Sequence, residues 1–296
     1  MSSAEALVGR ASAGAAVAPR SQRGALGRQL RSELRLVFGR RRNQILLGAL
    51  AIIPLAIGIA VKVSPPGGSG GDGGPQFLNR ITDSGLFLVL TALFITLNLF
   101  LPVVAGIIAA DSVAGEAQAG TLRYLLAVPV RRGRLLFVKS VGIATYALAA
   151  VGVIAIVAAV AGVSLFGSGS FTLLGGQTVS VGEGLLRILG VAFYVWLSLF
   201  GLLAVGLLIS VLTEVPIAAM AGTLGFGILS IVLDQIPELH SIHPGLISNY
   251  WQSFGTLIRV GPDYAQLGKY LLLQLVYVAL AGGLAWARFS DADVTS

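Results

Sequence analysis

The chain has 296 residues, 55% of them hydrophobic and 11% charged, with a mean hydropathy of +0.87; a soluble domain would carry about a quarter charged residues, so a soluble protein is excluded. It contains no cysteine, which removes disulfides and thiolate metal sites from consideration. The net charge of +7 is placed beside apolar runs, which assigns it to a membrane surface and not to nucleic acid.

Residues 1–24 are rich in Ala, Ser, Gly and Arg without a period, and read as a disordered cytoplasmic tail. Over 25–44 the apolar residues 26, 30, 34, 37 and 38 fall on one helical face. Arg28, Arg31 and Arg35 lie among them, and Arg40, Arg41 and Arg42 follow. This pattern predicts an amphipathic helix in the interface, its arginines anchored at anionic headgroups; the alternative is a solvated basic linker. Residues 45–288 form the membrane domain. Its first span, about 45–61, is uncharged and contains Pro54, and no cleavable leader is expected before it. A flexible Gly/Pro linker occupies 63–83. The second span, about 84–110, contains Asn98 and Pro102. Asn98 is a candidate pathway residue, with interhelical hydrogen bonding as the competing role, and Pro102 predicts a kink.

The stretch 111–139 lies between two apolar runs and is dense in charge, Gly and Pro. Gly120 and Thr121 read as a break followed by an N-cap. Leu122, Leu125 and Leu126 then recur at helical spacing, and Pro129 stops the turn because it has no N–H to donate. A helix of roughly 7 residues is about 10 Å long, too short to cross a bilayer. It lies against the membrane or docks into something. Asp111, Gly115-Glu116, Gly120-Thr121-Leu122, Leu125-Leu126, Pro129-Val130, an Arg at 131 or 132, and Lys139 together resemble the first cytoplasmic loop of ABC transporter permeases of the type-2 exporter class. One departure is Gln118, where many relatives have a second acidic residue. The resemblance implies that the loop carries a coupling helix seated in a cleft of a separate ATPase subunit. Glu116, Gly120, Thr121, Leu122, Leu125, Leu126, Pro129 and Arg132 would be its docking residues. Arg131, Arg132 and Arg134 are open to a second role, anchoring to lipid headgroups. The resemblance also implies an N-terminal elbow helix, which matches the segment 25–44.

The third span is expected at about 140–166, with Gly142, Gly152 and Gly162 permitting close packing. Leu173-Leu174-Gly175-Gly176-Gln177 is a superficial likeness to the ABC ATPase signature, without its Ser and without an ATPase domain around it. The fourth span covers about 185–212, and Thr213-Glu214-Val215-Pro216 turns into the fifth, about 217–233, with Glu214 near the helix dipole. The outer connection 234–267 holds Tyr250, Trp251 and Phe254 as candidate headgroup-level anchors; the resemblance implies short re-entrant helices here. His240 and His243 are spaced three apart, with at most Glu238 to complete a set, so no metal site is expected. The sixth span, about 268–287, precedes a cytoplasmic tail at 289–296.

Six spans put both termini on one side. If that side is the cytoplasm, it receives nine basic residues before the first span, five in 111–139, and Arg288, against five outside. The positive-inside rule supports cytoplasmic termini and a cytoplasmic loop 111–139. No phosphate-binding loop is present: the only Gly-Lys is Gly268-Lys269, followed by Tyr270. The chain is not expected to be an enzyme or to bind a cofactor, and ATP and magnesium are assigned to a partner. The expected protein is an all-α integral membrane protein of six transmembrane helices, with an elbow helix and a coupling helix between spans 2 and 3. Its expected role is the permease of an ATP-binding-cassette exporter in the bacterial plasma membrane. It would work as a dimer with a second copy or a paralogue, beside ABC ATPase subunits, on an unidentified substrate. The alternative is a non-transporting assembly or sensor subunit of the same architecture.

Overall fold

The computed structural model describes residues 25–63, 81, 84–120, 132–167, 171–172 and 177–291. The tails 1–24 and 292–296, nearly all of the linker 63–83, residues 168–170 and 173–176 and the segment 121–131 lie outside them.

The chain is helical. The elbow helix α1 (Ala25–Gly39) is followed after one residue by α2 (Arg41–Val63). The second crossing is made in series by α3 (Phe87–Asn98) and α4 (Phe100–Gln118), and the third by α5 (Arg132–Phe166). A two-residue pairing of Phe171–Thr172 with Thr178–Val179 closes the turn after α5. The fourth crossing is also made in series, by α6 (Val181–Ser198) and α7 (Phe200–Leu212). The fifth is α8 (Pro216–Asp234) and the last α9 (Tyr264–Asp291). Among the described residues, six helices are long and apolar enough to cross a membrane. This is an all-α integral membrane protein.

α4 lies at the centre, mostly buried and flanked by α7 and α8, whereas α2 and α9 turn most of their surface outward. α5 gathers α2 and α3 on one side, and α9 packs along α7 on the other. The outward surface is apolar because its solvent is lipid: Ile45, Ile52, Ile156, Leu186 and Leu284 are all exposed. Between helices, where lipid gives no hydrophobic drive, small residues allow close approach. A Cβ on Gly162 would lie 2.0 Å from the Gly85 carbonyl oxygen, whereas Gly152 faces open space.

The helices differ from the expected spans mainly in running on past them. The expected second span ends at 110, but α4 continues to Gln118; the expected third begins at 140, but α5 begins at Arg132. Hydropathy marks where lipid ends, and backbone hydrogen bonding continues beyond it wherever charged side chains find partners. Pro54 sits inside α2 without interrupting it, while Pro102 has an interruption at Leu99 just before it. Pro216 starts α8, as expected of a proline at the first helical position. Glu214 is exposed, and the local bond is made by Thr213, whose Oγ1 accepts from the Val215 N–H at 3.1 Å.

Candidate functional site

Two sets of long-range contacts define the two ends of the bundle. One end gathers 33–43, 110–120, 132–139 and 286–290; the other gathers 62, 85, 165–167, 187, 194 and the segment after α8. The first end holds the residues on either side of the segment 121–131.

α4 reaches that segment through a defined exit. The Ala119 N–H returns to the Gly115 carbonyl at 3.2 Å, and the Gly120 N–H to Ala117 at 3.0 Å. Gly120 takes φ +67°, the left-handed conformation that ends helices and favours glycine. Thr121, Leu122, Leu125, Leu126, Pro129 and Arg131 lie outside the described residues. Twelve positions after Gly120, α5 starts at Arg132. Arg132 turns to the last helix, where Nη1 donates to the Ser290 carbonyl at 3.0 Å. A cation at a helix C-terminus is favourably placed against the dipole.

Glu116 does not project outward. It is 4% exposed, and its carboxylate meets Lys139 Nζ at 2.7 Å. Lys139 is itself 1% exposed and also faces Glu33 of the elbow helix at 3.5 Å. One buried ammonium therefore joins α1, α4 and α5. A second cluster lies beside it: Asp111 on α4 pairs with Arg40 at 3.1 Å and with Arg42. Three carboxylates and three cations balance, so Asp111, Glu116 and Lys139, part of the charge that makes 111–139 look like a loop, are neutralised within the fold. Pairing of this kind adds little net stability over an apolar core, but removal of one partner is costly, so it favours one arrangement over others.

The elbow helix is seated by the same construction. Val37 belongs to the core and Glu33 to the ion cluster, and Gly142 of α5 leaves the room: a Cβ there would lie 3.0 Å from Glu33 Cγ. The carbonyls at the end of α1, which no further turn can satisfy, are met by α2. Asn43 Nδ2 donates to Val37 O at 2.7 Å and Gln44 Nε2 to Phe38 O at 3.0 Å. Tyr146 of α5 donates its hydroxyl to the Asn43 carbonyl at 2.6 Å. One side of α1 is thus packed on protein at Glu33 and Val37, while Leu26 and Leu36 stay 40% and 42% exposed. Arg28, Arg31, Arg35 and Arg41 remain exposed, whereas Arg40 and Arg42 are engaged with Asp111.

α4 is also fixed to α7. Ser210 Oγ accepts from the N–H groups of Val113 and Ala114 at 3.2 and 3.0 Å and donates to the Ala110 carbonyl at 2.8 Å. A hydroxyl straddling a helical rung ties two backbones without a charged group.

At the opposite end, Asn98 bonds within its own helix, Nδ2 to Phe94 O at 2.9 Å, and its Oδ1 accepts from Gln252 at 2.8 Å. The second bond joins α3 to the segment after α8. The segment after α8 forms short 3₁₀ turns at Pro237–Leu239, His243–Gly245 and Trp251–Ile258. Trp251 and Phe254 are 1% and 0% exposed, so they are core residues and not anchors at the headgroup level. Their burial could not be inferred from an aromatic cluster in a loop. His243 Nε2 lies 3.1 Å from the Ile236 carbonyl, and among the described residues no group of three or more His, Cys, Asp or Glu is arranged to hold a metal.

Spacing in the sequence had no means of marking Glu33 and Asn43: Glu33 is remote in sequence from Lys139, and Asn43 from Tyr146. The one available signal was Glu33 itself, a single acid within a strongly basic helix. No curated protein matches the chain. The family model described as ABC-2 family transporter protein matches residues 14–294. The chain belongs to this family, the membrane components of ABC transporters.

Proposed function

We propose that this permease drives export, coupled to a separate ABC ATPase through the segment between α4 and α5. The observation that carries the reading is the mounting of that segment. The serial pair α3–α4 over 87–118 and the 35-residue α5, at about 1.5 Å per residue, exceed the roughly 30 Å hydrocarbon core by about 20 Å. Their projecting ends are joined by Lys139, Glu116 and Glu33. A short docking helix at 121–129 would have a stiff base through which its displacement reaches α4, and from α4 the crossings α7 and α8.

In this reading Leu122, Leu125, Leu126 and Pro129 contact the ATPase, and Thr121 caps the docking helix. Gly120 sets its exit angle, and Glu116 acts from behind by fixing α4. The basic end and both termini lie in the bacterial cytoplasm, in keeping with its fifteen Lys and Arg residues against five at the other end. Arg28, Arg31, Arg35 and Arg41 face anionic headgroups. Two copies, or this chain and a paralogue, enclose the substrate path. ATP and magnesium are held by the ATPase.

The test is purification of the tagged chain from native membranes in mild detergent, with ATP hydrolysis measured on the eluate. An ATPase subunit is expected with the wild type and is expected to be lost with Leu125→Asp/Leu126→Asp. Purification without ATPase activity in several gentle detergents would turn the assignment toward a non-transporting subunit.

A further inference from the structure

Two crossings are interrupted at one residue each, and the interruptions have different causes. At Leu99 the cause is covalent: Pro102 has no N–H to offer the Asn98 carbonyl, and its ring crowds that oxygen. The crossing 181–212 contains no proline. Its break at Leu199 has to be held by something else.

The Leu199 N–H turns back to the Trp196 carbonyl at 3.2 Å, a tightened i−3 bond. In an uninterrupted helix Gly201 N–H would bond to Leu197 and Ser198 C=O would accept from Leu202. Both groups are instead engaged from outside the helix. Trp251 Nε1–H donates to the Ser198 carbonyl at 3.0 Å, and Gly201 N–H donates to Gln274 Oε1 at 3.3 Å. Gln274, on α9, donates its other amide group to the Ile247 carbonyl at 3.1 Å. Trp251, Gln274 and Ile247 are 1%, 3% and 0% exposed. Gly201 gives Gln274 its access, since a Cβ there would lie 2.5 Å from Oε1. The break is therefore stabilised by the segment 247–252, part of it directly and part through Gln274.

We infer that the break at Leu199 is conditional: it persists while 247–252 is docked, and the crossing closes into one continuous helix when that segment withdraws. The exchange conserves backbone hydrogen bonds, because Ser198 and Gly201 regain helical partners as they lose Trp251 and Gln274. In a water-poor interior this keeps the crossing's own backbone groups paired in both states, a condition for two arrangements of similar free energy. Ser210 fastens the inner half α7 to α4, so straightening at Leu199 reaches the helix that ends at Gln118. That last consequence rests on the docking reading above; the conditional break does not.

The chain has no cysteine, so Leu189→Cys/Leu212→Cys introduces a clean pair of spin labels at positions 57% and 60% exposed. A continuous helix between them is about 34 Å long. Pulsed EPR on the full chain in lipid nanodiscs should show the wild type at shorter separations. Trp251→Phe, which keeps an aromatic ring but loses the donor, and Gln274→Leu should each shift the distribution toward that length. Gly201→Ala, which evicts the Gln274 amide, should do the same. Unshifted distributions in Trp251→Phe and Gln274→Leu would overturn the inference. No ATPase enters the measurement, so its outcome is separate from the fate of the docking assignment.

Discussion

Replacing Lys139 with Met removes the charge at the centre of the brace while keeping an unbranched chain of similar length. It leaves Glu116, formerly at 2.7 Å, and Glu33, formerly at 3.5 Å, with no ammonium between them. Truncating one member of a buried ion pair costs about 3–5 kcal/mol. Here Lys139 and Glu116 have side-chain exposures of 1% and 6%, so solvent screening reduces that figure little. At about 2 °C per kcal/mol for a long chain, the melting temperature should fall by about 6–10 °C. The assay is thermal unfolding in detergent, followed by the fluorescence of the three tryptophans. Adding Glu116→Met and Glu33→Gln to the same chain removes the stranded carboxylates, and should recover most of the loss. A triple variant as unstable as the single one, or a single variant equal to wild type, would refute the brace.

Gly142→Leu should push α1 off α5, because even a Cβ there comes within 3.0 Å of Glu33 Cγ and 3.7 Å of Val37 Cγ2. A cysteine placed at Val37, now 7% exposed, should become reactive to maleimide, and continued protection would count against the seating described. Gly120→Val forces a β-branched residue to φ +67°, at a cost of about 1–2 kcal/mol. Hydrogen exchange over 115–120 should rise and ATPase recovery fall, with Gly120→Asn milder because Asn tolerates this region; identical exchange in all three proteins would argue otherwise. Arg28→Gln/Arg31→Gln/Arg35→Gln should reduce the anionic lipid that co-purifies with the chain, measured by mass spectrometry, and unchanged retention would remove the headgroup role from α1.

Much of the architecture is legible from periodicity and hydropathy, because a lipid-facing helix must be apolar over a fixed length. What those signals miss is where charge is neutralised by remote partners. Asp111, Glu116 and Lys139 look like loop residues one at a time, yet each lies on a helix that continues past the lipid because its partner sits on another element. The Pro102 interruption is visible as a missing N–H, whereas the Leu199 interruption has no local mark and arises from side chains at 251 and 274. Trp251 departs from the headgroup-level expectation for a related reason: a tryptophan in a connection suits an interface, and its core packing and bond to the Ser198 carbonyl come from elements remote in sequence. The docking role proposed for Leu122, Leu125 and Leu126 rests on the motif alone, since spacing describes a helix face without its neighbour.

Coupling through the α4–α5 segment is tested most directly by capture in place. A single cysteine at Leu125, unique in the chain, would carry a photoactivatable benzophenone in native membranes. A matched protein would carry it at the exposed Gly182 of the opposite end. Illumination should join the Leu125 probe to a nucleotide-binding subunit, identified by mass spectrometry, and leave the Gly182 probe without that adduct. No adduct at Leu125, or the same adduct from both positions, would contradict docking at this end of the bundle.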